Sequence, residues 1–197
     1  MTRTMLEAGA GAALLYFLTV IVASLTWPGY SHVTQYASEL GSAAAPHPEI
    51  FNIGITTTGA LGVVGGLGLI SFFAQRGRWL SGGLAGLSLC AWGVAMLMGG
   101  LHPMPDPLHN GFGLMLGVTA TPIFLMIALR GRIGAVFYLL LGLWFIATAG
   151  LLAVMFGVGA LVTMKNVGLW QRALAVVMIS GIGFSCAALA RRAKGGA

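Results

Sequence analysis

The chain has 197 residues, of which 58% are hydrophobic and 7% are charged, and its formal net charge is +6. A soluble domain has a charged fraction of about 25%, so this composition excludes an ordinary soluble protein and predicts an integral membrane protein. The positive charge does not indicate nucleic-acid binding, because the basic residues lie in short clusters between apolar runs, which is the pattern of membrane topology.

Six apolar segments are long enough to cross a membrane, since a spanning helix needs roughly 20 apolar residues. In chain order they are residues 6–27, 50–74, 79–101, 108–129, 133–156 and 168–190. The turns after the second and fourth segments are so short that the helices on either side are expected to pair as antiparallel hairpins. We therefore predict an all-α fold, in which residues 1–197 form a single six-helix transmembrane domain.

The basic residues predict the orientation of this bundle. Of the ten, only Lys165 and Arg172 fall on the side opposite the termini in a six-span arrangement. Cytoplasmic loops carry an excess of Lys and Arg, so both termini are expected in the cytoplasm and the protein in the cytoplasmic (inner) membrane. The basic residues on the terminal side are Arg3, Arg76, Arg78, Arg130, Arg132, Arg191, Arg192 and Lys194.

Most side chains capable of acid–base chemistry fall on the outward side of the same arrangement. They include every histidine and three of the four acids. Any chemical or recognition site is therefore expected to open outward. The residues are His32, Glu39, His47, Glu49, His102, Asp106 and His109.

Glycines at small-xxx-small spacing predict the faces on which the helices pack. Such spacing lets two membrane helices approach closely. We interpret these glycines as packing faces within the bundle and not as evidence for dimers. The pairs are Gly62 with Gly66, Gly82 with Gly86, and Gly113 with Gly117.

The longest external segment, residues 27–49, is expected to contain a short amphipathic helix. Ser31 can cap its start and Gly41 can end it. Either its polar edge faces water, or His32 and Glu39 turn toward the bundle, where ionisable side chains are costly and often functional. At about 100° per residue, one face would carry His32, Gln35, Tyr36 and Glu39.

Arg172 lies about one turn into the last span, deeper than an ordinary flanking residue. An arginine there requires a partner, and Glu39 or Asp106 is the carboxylate available on that side. We expect an ion pair that holds a loop to the bundle.

The stretch from Leu101 to Asn110 supports two interpretations. Asp106 can cap the fourth span, Pro107 suits its first position, and His109 falls in its first turn. Alternatively, His102, Asp106 and His109 bind a divalent metal such as zinc, with His32 or Glu39 completing the shell. Such a metal could activate water, but no HExxH signature is present.

Three motifs in order resemble the polytopic membrane proteins known as domain of unknown function 998. They are Y-S-x-x-x-Q-Y-x-S-E-L-G from Tyr30 to Gly41, P-D followed by H at Pro105, Asp106 and His109, and G-L-x-Q-R from Gly168 to Arg172. One departure is Met104, which stands where the family pattern has phenylalanine. The resemblance implies six helices and no agreed biochemical role. It points to an outward set of Ser38, Glu39, Asp106, His109, Gln171 and Arg172.

The first functional hypothesis is non-catalytic. An outward polar network binds a lipid headgroup, a small ligand or a partner membrane subunit, and nucleic acid is not expected as a partner. Its members are His32, Gln35, Ser38, Glu39, Asp106, His109, Gln171 and Arg172.

Two alternatives remain open. One is a metal-dependent hydrolase at the outer interface, with the three hairpin residues as ligands and Glu39 as proton shuttle. It has a looser likeness to ceramidase and adiponectin-receptor-type hydrolases, although the chain lacks their closing histidine pair on a late helix. The other is transport, which is disfavoured because no acid lies at mid-membrane and no broken central helix is expected.

Overall fold

The computed structural model describes residues 1–193, so Lys194 lies outside the described part of the chain. Within residues 1–193 the secondary structure is entirely helical, which confirms the all-α class. In this described part of the chain, six helical segments are long and apolar enough to cross a membrane. They are α1 (Thr2–Leu25), α2 (Pro48–Ala74), α3 (Trp79–Leu101), a fourth crossing (Pro107–Ala128) that ends in α4 (Thr121–Ala128), α5 (Ala135–Met155) and α6 (Val167–Arg192).

Two of the crossings begin with proline, as the sequence predicts. Pro48 and Pro107 each occupy the first turn of a helix, where a missing N–H leaves no hydrogen bond unmade. The Asp106 carboxylate accepts a hydrogen bond from the Leu108 N–H at 2.8 Å, which confirms Asp106 as a cap. His47 makes no such bond before α2, because its ring bonds to Glu49 instead.

The fourth crossing is not the regular helix that the sequence predicts. Its first part, Pro107–Ala120, is 3-10 helical and includes three successive residues with positive φ. Gly111 and Gly113 adopt this left-handed conformation at little cost, and they flank Phe112, which is 78% exposed. Hydrophobic periodicity does not report on φ, so the expectation of an unbroken central helix was wrong.

Glycine brings the backbones of α2 and α3 into contact. A Cβ added at Gly66 or Gly86 would press on the carbonyl oxygen of the other residue, while Gly62 and Gly82 each face an aromatic side chain of the opposite helix. These two predicted packing pairs are confirmed. The pair of Gly113 and Gly117 is not, because only Gly117 packs on α3.

The chemistry-bearing residues gather at the two ends of the bundle. At one end the Thr2 hydroxyl bonds to Ser71 at 2.8 Å, and Arg192 donates to the Arg132 carbonyl at 3.1 Å. We call this the basic end, formed by residues 1–3, 71–79, 129–134 and 191–193. The histidine end is formed by residues 26–49, 101–110 and 156–172.

Replacing Gly86 by alanine is expected to destabilise the fold by about 1–3 kcal/mol, because the new methyl group overpacks the α2–α3 contact. Gly83→Ala is the matched control, since nothing lies near its Cβ position and alanine favours the helix by up to about 1 kcal/mol. Unfolding in mixed micelles, followed by circular dichroism, measures both. Equal stability of the two variants would contradict the close packing.

Candidate functional site

The first loop lies directly on the start of α6. The Leu169 N–H, which has no partner within its own helix, donates to the Val33 carbonyl at 3.0 Å. At Gly168 a Cβ would fall on the carbonyl oxygens of His32 and Gln35. Only glycine therefore lets the loop backbone approach α6 this closely, which explains the first position of G-L-x-Q-R.

Arg172 fastens this contact with hydrogen bonds from all three of its nitrogen atoms. Its Nη1 donates to the carbonyls of Gln35 at 2.7 Å and Gly168 at 3.1 Å. Its Nη2 donates to the Tyr30 hydroxyl, and its Nε donates to His32 Nδ1 at 3.1 Å. The guanidinium therefore joins the loop to the helix on which it lies.

The predicted ion pair of Arg172 with Glu39 or Asp106 is wrong. Within residues 1–193 the carboxylates that contact an arginine or a histidine side chain do so in the pairs Arg3–Glu7, His47–Glu49 and His102–Asp106. Glu39 stays within its own loop, where its carboxylate accepts from the Tyr36 N–H at 2.8 Å and from the Gln35 amide at 3.0 Å. Backbone carbonyls, a phenol and an imidazole satisfy the guanidinium instead, because the loop brings them closer than any carboxylate.

The loop is divided into a turn and a 3-10 helix and does not form one amphipathic helix. Ser31 Oγ accepts from the backbone N–H groups of Val33 and Thr34 at 3.3 Å, but it caps a turn and not the helix that was predicted. Tyr36 is extended, with ψ of 149°, and the 3-10 helix Ala37–Gly41 follows it. Because of this break, His32 faces Arg172, whereas the second half of the loop makes a different contact.

Gln171 makes that second contact. Its Oε1 accepts from the Ala37 N–H at 2.7 Å, at the first residue of the 3-10 helix. Beyond it, Ser38 Oγ donates to Met104 Sδ at 3.1 Å. The loop is thereby tied to α6 on one side and to the hairpin before the fourth crossing on the other.

Tyr30 belongs to the Arg172 network as both acceptor and donor. Burial raises the pKa of its phenol, against the opposing charge of Arg172. The hydroxyl therefore keeps its proton at neutral pH and donates it to the Tyr36 carbonyl at 2.9 Å. The Y-S-x-x-x-Q-Y motif contains Tyr30, but its sequence gives no signal that this phenol contacts a residue 142 positions away.

His32 is neutral in this arrangement. Its Nδ1 accepts a hydrogen bond from an arginine, which can only donate, so the ring proton lies on Nε2. Partial burial lowers the pKa of His32, and the positive charge of Arg172 lowers it further. Protonation of the ring would remove the acceptor and place two positive charges side by side.

The hairpin cluster consists of His102, Asp106 and His109. His102 Nδ1 lies 3.2 Å from Asp106 Oδ2, and His109 Nδ1 lies 2.9 Å from the His102 carbonyl oxygen. The Leu108 N–H, with a smaller contribution from His102, lowers the pKa of Asp106. An ionised carboxylate and a carbonyl only accept, so both Nδ1 atoms carry protons. In the neutral form of each ring, Nε2 is then left as an acceptor.

The eight residues of the predicted network thus divide into two groups. His32, Gln35, Glu39, Gln171 and Arg172 hold the first loop together and fasten it to α6. Asp106 and His109 belong to the hairpin cluster with His102, and the contact of Ser38 with Met104 links the groups. Sequence reasoning found these positions but missed the roles of Tyr30, Gly168 and Met104 in joining them.

The predicted metal site remains a hypothesis. Across the described residues, no group of three or more His, Cys, Asp and Glu side chains could hold a metal ion. His102, Asp106 and His109 are adjacent in the hairpin, but they do not form such a group. We therefore derive no chemical step through a metal.

Six apolar helices with polar clusters at their ends define a multi-pass membrane protein. A family model described as protein of unknown function (DUF998) matches residues 10–188, and the chain belongs to this family. The matched region includes all three motifs that carried the resemblance. Neither the search of curated proteins nor the search of solved structures gave a match.

Arg172→Gln is expected to destabilise the protein by about 2–3 kcal/mol, because hydrogen bonds to a charged group are lost and the acceptors in the loop are left unpaired. Lys165→Gln is the charge-matched control, since Lys165 is exposed at the same end. Thermal unfolding in detergent compares the two. A loss in Lys165→Gln as large as that in Arg172→Gln would rule out the specific role of the guanidinium.

The contribution of His32 is expected to depend on pH. Because folding lowers the pKa of His32, the stabilisation that His32 contributes is fully present above its unfolded pKa near 6.5. This stabilisation is lost as the pH falls through the folded pKa of His32. The variant His32→Asn places an amide oxygen near the position of His32 Nδ1. This oxygen accepts a hydrogen bond from Arg172, and it does not titrate.

We expect the wild-type melting temperature to fall more than that of His32→Asn between about pH 7.5 and about pH 5.5. The difference between the two proteins isolates the contribution of His32 from that of the rest of the chain. Parallel pH profiles for the two proteins would show that His32 titration does not affect stability.

Proposed function

We propose that this protein lies in the cytoplasmic membrane with its basic end in the cytoplasm, and that its histidine end binds the headgroup of a membrane lipid on the outer side. The charge distribution supports the orientation. In the described chain, all arginines except Arg172 lie at the basic end or beside it, and Lys165 lies at the other end. Such an excess of basic residues is typical of the cytoplasmic side.

The observation that carries the binding proposal is the hydrogen-bonding state of the hairpin cluster. His102 and His109 each use Nδ1–H within the protein, which in the neutral form of each ring leaves Nε2 as an acceptor. Asp106 adds an ionised carboxylate, and the side chains of His102 and Asp106 are 33% and 38% exposed. A cluster made of acceptors is complementary to a ligand that donates hydrogen bonds.

A primary ammonium group fits these acceptors best. It donates three hydrogen bonds, and its positive charge complements Asp106. Ethanolamine lipids carry such a group at the membrane surface. Choline lipids carry a quaternary ammonium with no N–H to donate, so hydrogen-bond recognition discriminates between the two headgroups.

The fixed loop supports a pre-formed site. Arg172 and Gln171 hold the loop on α6, and Ser38 contacts Met104 two residues after His102. Groups that are already ordered lose less conformational entropy when a ligand binds. The loop therefore acts as a rigid rim beside the hairpin cluster.

A binding role is favoured over the hydrolase alternative. Hydrolysis by a zinc-type mechanism needs about three protein ligands around one ion, and the described residues hold no such group. Binding of an ammonium headgroup requires only the acceptors already present in the hairpin.

The test compares lipid binding by the full chain after delipidation, measured by native mass spectrometry with ethanolamine and choline lipids of equal chain length. The wild type is expected to prefer ethanolamine by about tenfold, the equivalent of one well-made hydrogen bond to a charged group. Asp106→Asn keeps the helix cap, because asparagine caps as well as aspartate, but it removes the negative charge.

Asp106→Asn is expected to lose the preference, and Glu49→Gln, the matched removal of an exposed acid at the same end, is expected to keep it. The proposal fails if the wild type binds both lipids equally, or if Asp106→Asn retains the full preference. Binding of a small soluble amine or a protein subunit without any headgroup preference would also count against it.

A further inference from the structure

An open cavity of about 670 Å³ lies at the basic end. It is bounded by the start of α1, the end of α2 and Ala193, just after α6. Because it is at the opposite end of the bundle from the hairpin cluster, an inference about it does not depend on the proposed headgroup site. Its polar lining consists of Thr2, Arg3, Ser71, Gln75 and Arg76.

A pair of hydroxyl groups forms one wall of the cavity. Thr2 Oγ1 and Ser71 Oγ lie 2.8 Å apart, and the Gln75 amide donates to them at 3.0 and 3.1 Å. The two hydroxyls have two protons between them, and their mutual hydrogen bond uses one. The other hydroxyl proton is available to a ligand, while the amide already occupies acceptor positions on both oxygens.

Arg76 supplies a fixed cation on another wall. Its Nη1 donates to the Phe72 carbonyl at 3.0 Å, and its guanidinium carbon lies 3.8 Å from the centre of the Phe72 ring. These contacts hold the planar group in place, and they use one of its five N–H donors among the described residues. A fixed guanidinium with free donors matches the geometry of phosphate oxygens.

The remaining charge around the cavity is also positive. Arg3 adds a second guanidinium, and among residues 1–193 no carboxylate lines the cavity. The nearby acid on α1, Glu7, is bonded to Arg3 at 2.8 Å. The lining therefore offers hydrogen-bond donors and cations, which select an anion with several acceptor oxygens.

We propose that this cavity binds a phosphate group, carried either by an anionic membrane lipid or by a free phosphate ion. Arg76 contacts the phosphate oxygens through its guanidinium fork, and the hydroxyl pair of Thr2 and Ser71 donates the additional hydrogen bond. The position of the cavity at the end of three spanning helices is where a lipid phosphate lies.

The experiment titrates the full-length, delipidated protein in neutral detergent with three probes by isothermal calorimetry. The probes are dihexanoyl phosphatidylglycerol, the phosphate-free dihexanoylglycerol and inorganic phosphate. Binding of phosphatidylglycerol without binding of inorganic phosphate identifies a lipid site, and binding of both identifies recognition of the phosphate itself. Either result supports the proposal, and binding of phosphatidylglycerol no tighter than that of dihexanoylglycerol overturns it.

Variants test whether the lining recognises the phosphate. Arg76→Gln is expected to weaken phosphatidylglycerol binding about tenfold, and Ser71→Ala about threefold, in keeping with the loss of charged and neutral hydrogen bonds. Arg78→Gln is the control, because it removes the same charge from the same turn but does not line the cavity. Its affinity is expected to match the wild type.

Equal weakening in Arg76→Gln and Arg78→Gln would overturn the proposal, since it would indicate only diffuse attraction to a basic surface. Arg76 also contacts Phe72, so this variant is used only if its circular dichroism matches the wild type. Ser71→Ala leaves that contact intact and decides the question if Arg76→Gln does not fold. Unchanged binding in Ser71→Ala would then reject the cavity as the site.

Discussion

The arrangement of the histidine end depends on the hydrogen bonds of Arg172. A partly buried guanidinium at the end of a helix bundle is costly unless its donors are satisfied, and here the first loop satisfies them. The loop in turn could not approach α6 without Gly168, and it is held at its second half by Gln171. In the G-L-x-Q-R motif the missing side chain of Gly168 and the side chains of Gln171 and Arg172 each fix one part of the loop, and Leu169 adds its backbone N–H.

The large-scale architecture was predictable because it follows from properties that the sequence displays directly. Length and hydropathy define the six crossings, and the ends of α2 and α3 fall where the apolar runs end. Proline at the start of a helix and aspartate before it act locally, so Asp106 and Pro107 could be assigned without knowledge of the tertiary structure. The break around Phe112 could not, since a glycine tolerates both signs of φ and its neighbours give no preference.

The candidate site was predictable in position but not in chemistry. Charge alone suggested a carboxylate for Arg172, whereas the structure satisfies it with carbonyl oxygens, whose positions depend on the fold of the loop. The division of that loop at Tyr36 also determines that His32 and Glu39 do not act together. For the histidines, the sequence places them in a hairpin, but only the contacts of Nδ1 show which ring nitrogen remains available.

The two ends of the molecule offer opposite chemistry to the membrane surface. At the histidine end the hairpin offers acceptors when its rings are neutral, because the Nδ1–H groups of His102 and His109 are bonded within the protein. At the basic end the cavity presents donors, because Gln75 occupies the hydroxyl oxygens and the nearby acid Glu7 is paired with Arg3. This contrast arises from internal hydrogen bonds as much as from net charge. An internal bond decides which atom of a polar group is left for a ligand, so the selectivity of each end is set by the packing of the helices behind it.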